Sequence, residues 1–430
     1  MQIKKDRVLL VGLLLKGEDR DDYLETMEEL SRLASTAGAE IFTSVIQTKK
    51  KPNPATYIGK GKLIEIKRKV KKNNVTTLIF NDELSPAQAR NISKITRCKI
   101  VDRTELILDI FSQHARTKQA KLQVELAQLE YNYSKLRNLW THLSRIEGGI
   151  GFRGPGEKQI ELDRREIQDK ISFLKKKIEA HEKVTNTKRK RRSNFTTISL
   201  VGYTNAGKST LFNLLTNEEV YIADKLFATL DAKTRKLYIP TGEKAVLTDT
   251  IGFIKKLPHL LISSFHSTLM EVIEADLLLH VIDISSKKLF DHIEEVHKVL
   301  NEIDAGDKEM IYVFNKIDRL KGVDHLFLKK KIMLEYPDSV FVSAKTGEGI
   351  DDLKEIISDF FRHRKKEIKL SIPAELQSLI SYLYDNTEVM KDKYDVDKNQ
   401  HKMKLVISRR LLPSVKKQIE KHNLKKYINN

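Results

Sequence analysis

The sequence predicts an α/β fold in which a central P-loop domain is preceded by a small α/β domain with a helical hairpin and followed by a second small α/β domain. Three observations carry that prediction. A β-branched run from Thr197 to Val201 leads straight into Gly202-Tyr203-Thr204-Asn205-Ala206-Gly207-Lys208-Ser209-Thr210, with a helical pattern from Leu211 onward. Strand-like and helix-like segments alternate through the first 112 residues. Between the two lies a stretch whose apolar residues recur in alternating steps of four and three.

Within residues 1–112, strands are expected over Arg7 to Leu15, Glu40 to Ile46, Val75 to Phe80 and Cys98 to Val101, with helices near Tyr23 to Ala37 and Leu63 to Val70. Ser85-Pro86 reads as an N-cap followed by proline at the first helical position, where its missing N–H costs nothing. Tyr57-Ile58-Gly59-Lys60-Gly61-Lys62 reads as a glycine turn after a strand. Residues 113–192 form the hairpin. Leu122, Leu126, Leu129, Tyr133, Leu136, Trp140 and Leu143 line one helix; Ile160, Ile167, Ile171, Leu174 and Ile178 line the other, with Arg164 interrupting the seam. The joining stretch, Gly148 to Glu157, holds five glycines and a proline and is expected to be a loop throughout. Lys188-Arg189-Lys190-Arg191-Arg192 is expected to be a solvated linker into the P-loop domain at 193–365. In the last domain, 366–430, strands are expected near Ile368 to Ile372 and Met403 to Ile407, with helices from Ala374 and Leu412.

A length of 430 residues exceeds one ordinary core, and 40% hydrophobic with 7% aromatic residues fits a globular chain rather than a disordered one. No segment approaches the roughly 18 apolar residues of a membrane span, and the N-terminus has no signal-peptide pattern, so the expected location is the cytoplasm. The lone cysteine, Cys98, excludes a disulfide framework or cysteine metal site within the chain and reads as core. Lys and Arg number 78 against 59 Asp and Glu, and a net charge of +19 favours a polyanionic partner. Nucleic acid is favoured over a membrane surface, though peripheral membrane contact is compatible with the charge. His114, His142 and Trp140 read as packing or solvent residues rather than ligands.

The chemistry lies between residues 202 and 345. Gly202 and Gly207 let the loop wrap so that its N–H groups, those of Tyr203, Thr204, Asn205, Ala206 and Thr210 included, point at phosphate oxygens. Lys208 is placed to bridge the β- and γ-phosphates, and the Ser209 hydroxyl to ligate Mg²⁺. The strand Ala245 to Thr248 ends at Asp249-Thr250-Ile251-Gly252, where Asp249 is expected to reach the metal and the Gly252 N–H the γ-phosphate. A threonine should close over the metal between these motifs; Thr229, in Phe227-Ala228-Thr229, is preferred to Thr234. Lys208, Thr229 and Gly252 are therefore the expected catalytic residues, and Ser209, Thr229 and Asp249 the expected metal ligands.

Asn315-Lys316-Ile317-Asp318 follows the strand Met310 to Phe314 and sets the base. The Asp318 carboxylate can accept from both guanine N1–H and the exocyclic amine, whereas adenine would leave the charge unpaired. Ser343-Ala344-Lys345, after the strand Ser339 to Val342, supplies the last base-contacting loop. The implied substrate is GTP and the implied domain a P-loop GTPase domain. Phe253 follows Gly252 where Ras-like proteins carry a water-orienting glutamine, so hydrolysis by the isolated chain is expected to be slow.

The flanks resemble the HflX family of translational GTPases over nearly the whole chain. The resemblance rests on Gly148-Gly149-Ile150-Gly151-Phe152-Arg153-Gly154-Pro155-Gly156-Glu157 with Glu161-Leu162-Asp163-Arg164-Arg165 behind it, on Tyr57 to Lys62, on Leu226 to Asp231 and on Asp249 to His259. Residues 366–430 carry no matching motif. The resemblance implies a monomer in the free form that binds the 50S ribosomal subunit and its 23S rRNA. It also implies splitting of stalled or idle 70S ribosomes under stress, with the hairpin tip reaching toward the peptidyl-transferase region. Arg153 and Lys158 fit an RNA cleft. Asn205 resembles the P-loop asparagine of potassium-stimulated GTPases, which makes K⁺ a candidate second cation. A GTP-regulated RNA- or protein-binding switch acting away from the ribosome fits the same residues; Gly59-Lys60-Gly61 lacks the spacing for an ATP site.

Overall fold

The computed structural model describes residues 6–146, 155–190, 195–217, 226–227, 229–239, 244–256, 258, 261, 266–320, 324–362, 365–408, 412–422 and 428–429. The chain begins with β1 (Arg7–Leu15), α1 (Arg20–Thr36), β2 (Glu40–Lys49), α2 (Lys60–Asn73), β3 (Thr77–Phe80), α3 (Pro86–Thr96) and β4 (Lys99–Asp102). The strands form a parallel sheet in the order β2-β1-β3-β4. A parallel sheet is covered on both faces, which is why Val8 to Leu14 is one continuous buried apolar run. Ser85 caps α3 in a capping box with Gln88, and proline occupies the first turn as expected. Gly59 is the N-cap of α2, so Gly61 and Lys62 are helical rather than part of a turn.

Asp102 ends β4 and caps α4 (Arg103–His114). The hairpin follows as α5 (Lys118–Ile146) and α6 (Pro155–Lys190), packed through Leu122, Leu126, Leu174 and Ile178. Two expectations are corrected here. Pro155-Gly156-Glu157 opens α6, because proline suits a first helical turn, and Lys188 to Lys190 end that helix rather than begin a linker. Gly148 to Gly154, Arg191 and Arg192 lie outside the described residues.

The central domain comprises β5 (Thr196–Val201), α7 (Lys208–Thr216), β6 (Lys233–Tyr238), β7 (Lys244–Asp249), α8 (His266–Ile273), β8 (Leu277–Asp283), α9 (Leu289–Glu302), β9 (Met310–Asn315), α10 (Asp324–Glu335), β10 (Ser339–Phe341) and α11 (Ile350–Arg362). Its sheet runs β10-β9-β8-β5-β7-β6, parallel except for β6 at the edge. Strands β6 and β8 go beyond the sequence expectation. Three loops leave the carboxyl ends of β5, β7 and β9, which brings the P-loop, Asp249 and Asn315 to one rim, where open α/β sheets bind ligands.

The chain closes with β11 (Lys365–Pro373), α12 (Gln377–Asn386), β12 (Glu388–Asp395), β13 (Gln400–Ser408), α13 (Leu412–Lys421) and β14 (Ile428–Asn429), an antiparallel sheet in the order β12-β13-β11-β14. Ile368, Leu370, Leu405, Leu379 and Val415 pack the helices against one sheet face. The helix expected from Ala374 starts three residues later, at Gln377, and β12 and β14 were not expected. Among the described residues, no helix is long and apolar enough to cross a membrane. Cys98 is buried, as expected of a core residue.

Candidate nucleotide site

A cleft of about 350 Å³ opens at the carboxyl rim of the central sheet, between the P-loop and the loops after β7, β9 and β10. Gly207 turns the chain into α7 at φ +97°, a conformation that L side chains rarely adopt, and a Cβ there would meet Asn315 Nδ2 at 2.2 Å. The first turn of α7 therefore presents its free N–H groups to the cleft. Lys208 is buried, and that burial pushes its ammonium down to about 8 against the opposing pull of Asp249. It donates to the carbonyl oxygens of Gly202 and Tyr203 at 3.0 and 2.9 Å.

Below it, three oxygens converge. Ser209 Oγ lies 2.8 Å from Thr229 Oγ1 and donates to Asp249 Oδ2 at 2.7 Å; Thr229 Oγ1 donates to the same Oδ2 at 3.1 Å. The other Asp249 oxygen, Oδ1, is buried without a hydrogen-bond partner. Burial drives the Asp249 carboxyl above its ordinary range, against the opposing pull of Ser209, Lys208, Thr229 and Lys233. Hard oxygen donors with one orphaned carboxylate oxygen suit a small divalent cation. Thr234, the alternative to Thr229, faces Thr248 across the β6–β7 ladder, away from this trio.

At the far rim, Asp318 accepts from Ser343 Oγ at 2.7 Å, a bond that holds its carboxyl below the usual range. Asn315 is buried and spans the site: Nδ2 donates to the Ala206 carbonyl at 2.9 Å, and Oδ1 accepts from the Ala344 N–H at 2.9 Å. Lys316 adopts φ +68° and reaches the Asn205 carbonyl and Asp283, each at 2.7 Å.

The cleft is lined by Thr204, Asn205, Gly207, Lys208, Ser209, Thr210, Phe227, Thr229, Thr250, Gly252, Asn315, Lys316, Asp318, Ala344 and Lys345, all anticipated from sequence, and also by Arg319. Arg319 was missed because it follows the recognisable motif and carries no signal of its own. Gly202, Asp249 and Ser343 stand behind that lining, joined to it through Lys208, Ser209 and Asp318. Tyr203, Ala206 and Ile251 are buried, and Ile317 packs into a core cluster, so these residues offer the cleft main chain at most. Ala228 lies outside the described residues. Phe253 is 1% exposed, packed with Val201, Leu269 and Val272, while its backbone pairs with Gly202 and Thr204. Its ring thus belongs to the core.

Sequence reasoning also missed how the two loops that flank the nucleotide cleft are held. Asp231, two residues past Thr229, accepts from the N–H groups of Arg116 and Thr117 at 3.2 and 3.1 Å and from the Thr117 hydroxyl, immediately before α5. Phe227 packs edge-on against Phe111 of α4 at 4.7 Å. After Phe253, the Lys255 N–H donates to Tyr203 Oη at 2.9 Å and the Lys255 carbonyl accepts from Arg103 at 2.9 Å. Arg103 and Tyr203 both bond the buried Glu29 of α1. Around them, Lys255 and Lys288 pair with Asp22, and Lys256 with Asp82.

P-loop GTP hydrolases set these parts in this order along a parallel sheet, and this chain is one of them. Family models match it nearly end to end: GTP-binding GTPase N-terminal at residues 24–112, GTP-binding GTPase middle region at 114–192, 50S ribosome-binding GTPase at 197–316 and HflX C-terminal domain at 328–423. The GTPase HflX of Caldanaerobacter subterraneus is 44% identical over 393 residues, 91% of this chain and 89% of its own. That of Escherichia coli is 41% identical over 397 residues, 91% and 93% of the two chains. The chain belongs to the HflX family of GTPases, as the sequence resemblance implied, and the C-terminal model reaches to residue 423 through the region where no motif was recognised. Among solved structures, a GTP-binding protein from Sulfolobus solfataricus in complex with GDP is 26% identical, with 82% of this chain and 97% of that one covered at a TM-score of 0.44.

Proposed function

We propose that this GTP hydrolase binds the 50S ribosomal subunit and its 23S rRNA in the GTP state, splits stalled or idle 70S ribosomes under stress, and leaves on hydrolysis. One observation carries the reading. The loops on either side of the cleft are bonded to the N-terminal region: Asp231 to the root of the helical hairpin, and Lys255 to Arg103 and Asp22. A nucleotide that orders Thr229 and Gly252 thereby biases how the hairpin is held, which is the differential contact a ligand needs to shift a conformational equilibrium. The family model over residues 197–316 carries the description 50S ribosome-binding GTPase, and a net charge of +19 suits phosphate backbone.

Within the cleft, Lys208 would hold the β- and γ-phosphates, the Gly252 N–H the γ-phosphate and Asp318 the guanine edge. Ser209, Thr229 and Asp249 would hold Mg²⁺, which when bound supplies positive charge to the phosphate oxygens. With the Phe253 ring in the core, no glutamine orients the attacking water from that position, so a partner is expected to complete the site. Asn205 lines the cleft and would help hold K⁺; equal turnover in sodium and potassium buffers removes that role. Sedimentation with purified 50S subunits tests the main reading. Pelleting with a non-hydrolysable GTP analogue but not with GDP is expected, and the analogue should support splitting while blocking recycling. Pelleting that ignores the nucleotide, or no pelleting at all, refutes it and leaves a switch acting away from the ribosome.

A further inference from the structure

The C-terminal sheet presents two unlike faces. Helices α12 and α13 cover one, and on the other the strand register sets lysine against lysine. Lys404 of β13 stands opposite Lys369 of β11 on one side and Lys391 of β12 on the other. In the next row Lys402 stands opposite Lys393, with Ser371 on its far side. Like charges directly opposed across a ladder are destabilising, and a face that needed only solvation would do better with alternating signs. Glu367 pairs with Lys404 at 2.8 Å and Asp395 with Lys402 at 2.7 Å, at the margins of the patch. Lys369, Lys391 and Lys393 are exposed and have no ion pair among the described residues. Strands about 4.8 Å apart and alternate residues about 6.8 Å apart confine these lysines to a patch about 10 Å across.

We propose that this face grips the phosphate backbone of an RNA duplex. Protein interfaces are depleted of lysine and anchored by aromatic residues, which this face lacks among the described residues. Single-strand sites add aromatic platforms for base stacking, whereas Tyr394 here packs against His401 on the helix-covered side. A flat lattice of ammonium groups matches sequence-independent recognition of duplex shape. The inference deepens the ribosomal reading by giving the C-terminal domain a share of the RNA contact. The two fail separately, because 50S pelleting of the unaltered chain tests that reading and free RNA tests this one.

The experiment uses the full chain and its K369Q/K391Q/K393Q variant with a labelled RNA duplex of about 20 base pairs, long enough for a duplex-binding footprint. The variant is expected to lose roughly tenfold in affinity, with a salt-dependence slope shallower by about 2 to 3, while its melting temperature holds or rises. A photo-crosslinker at Ser371 should label the duplex and one at Tyr384, on the helical side, should not. Unchanged affinity and slope, equal crosslinking from both positions, a loss seen only on a DNA duplex, or an equal loss toward a polyglutamate peptide each overturns the proposal.

Discussion

Asp318 stands exposed at the rim of the cleft, positioned by one bond from Ser343. Hydrogen bonds to a charged group contribute about 1.5–3 kcal/mol each, so two of them at guanine predict that Asp318→Ala weakens GTP binding by roughly 10² or more. Adenine nucleotides should be unaffected. Titration with fluorescent guanine and adenine nucleotides checks this, and an equal loss for both bases would remove Asp318 from base selection. Arg103 is the opposite kind of residue, 3% exposed and bonded to Glu29, Asn81 and the Lys255 carbonyl. Burial pushes the Glu29 carboxyl upward, and the Arg103 charge opposes that shift. Arg103→Met leaves the carboxylate buried without its cation, which costs about 3–5 kcal/mol. Adding Glu29→Gln should recover part of the loss in urea denaturation; a double variant no more stable than the single one argues against the pairing.

At the scale of elements, α5 starts on an acceptor borrowed from another domain. Asp231 takes up the Arg116 and Thr117 N–H groups, and Thr117 Oγ1 in turn accepts from the Ala120 N–H. Asp231→Ala is expected to cost about 1 kcal/mol, as helix-cap deletions do, while Asp231→Asn keeps an acceptor and most of the stability. Equal melting temperatures for wild type and the alanine variant would show that the helix start does not need it. Strand β8 carries His280, wholly buried, whose imidazole burial pushes down to about 3 from an ordinary 6.5. The folded state keeps it neutral, so below pH 6.5 the unfolded chain binds the extra proton. Its contribution is therefore full above that pH and is lost as the pH falls toward 3. A His280→Leu variant should show a flatter fall in stability between pH 6.5 and 4, and an unchanged profile would assign the acid sensitivity elsewhere.

For the whole molecule, the proposed coupling runs from the cleft through Asp231 to the root of the hairpin. Hydrogen exchange in the first turn of α5, Lys118 to Lys121, is therefore expected to slow with a GTP analogue relative to GDP. Identical rates in the two states would uncouple hairpin from nucleotide. The sequence by itself determined the α/β class, the hairpin and most of the residues that meet at the cleft, because each depends on local signals: apolar periodicity, glycine and proline placement, and motifs at strand ends. It also carried the family resemblance. Edge strands β6 and β12, polar and half-exposed, left no such pattern. The start of α6 was misread because a proline that breaks a helix interior also opens a helix. Only the tertiary structure decided that Asp231 tends α5, that Arg103 lies 152 residues from the carbonyl it holds, and that lysines oppose lysines across β12, β13 and β11. Pairings between distant segments depend on sheet order and domain placement, and no local signal encodes either.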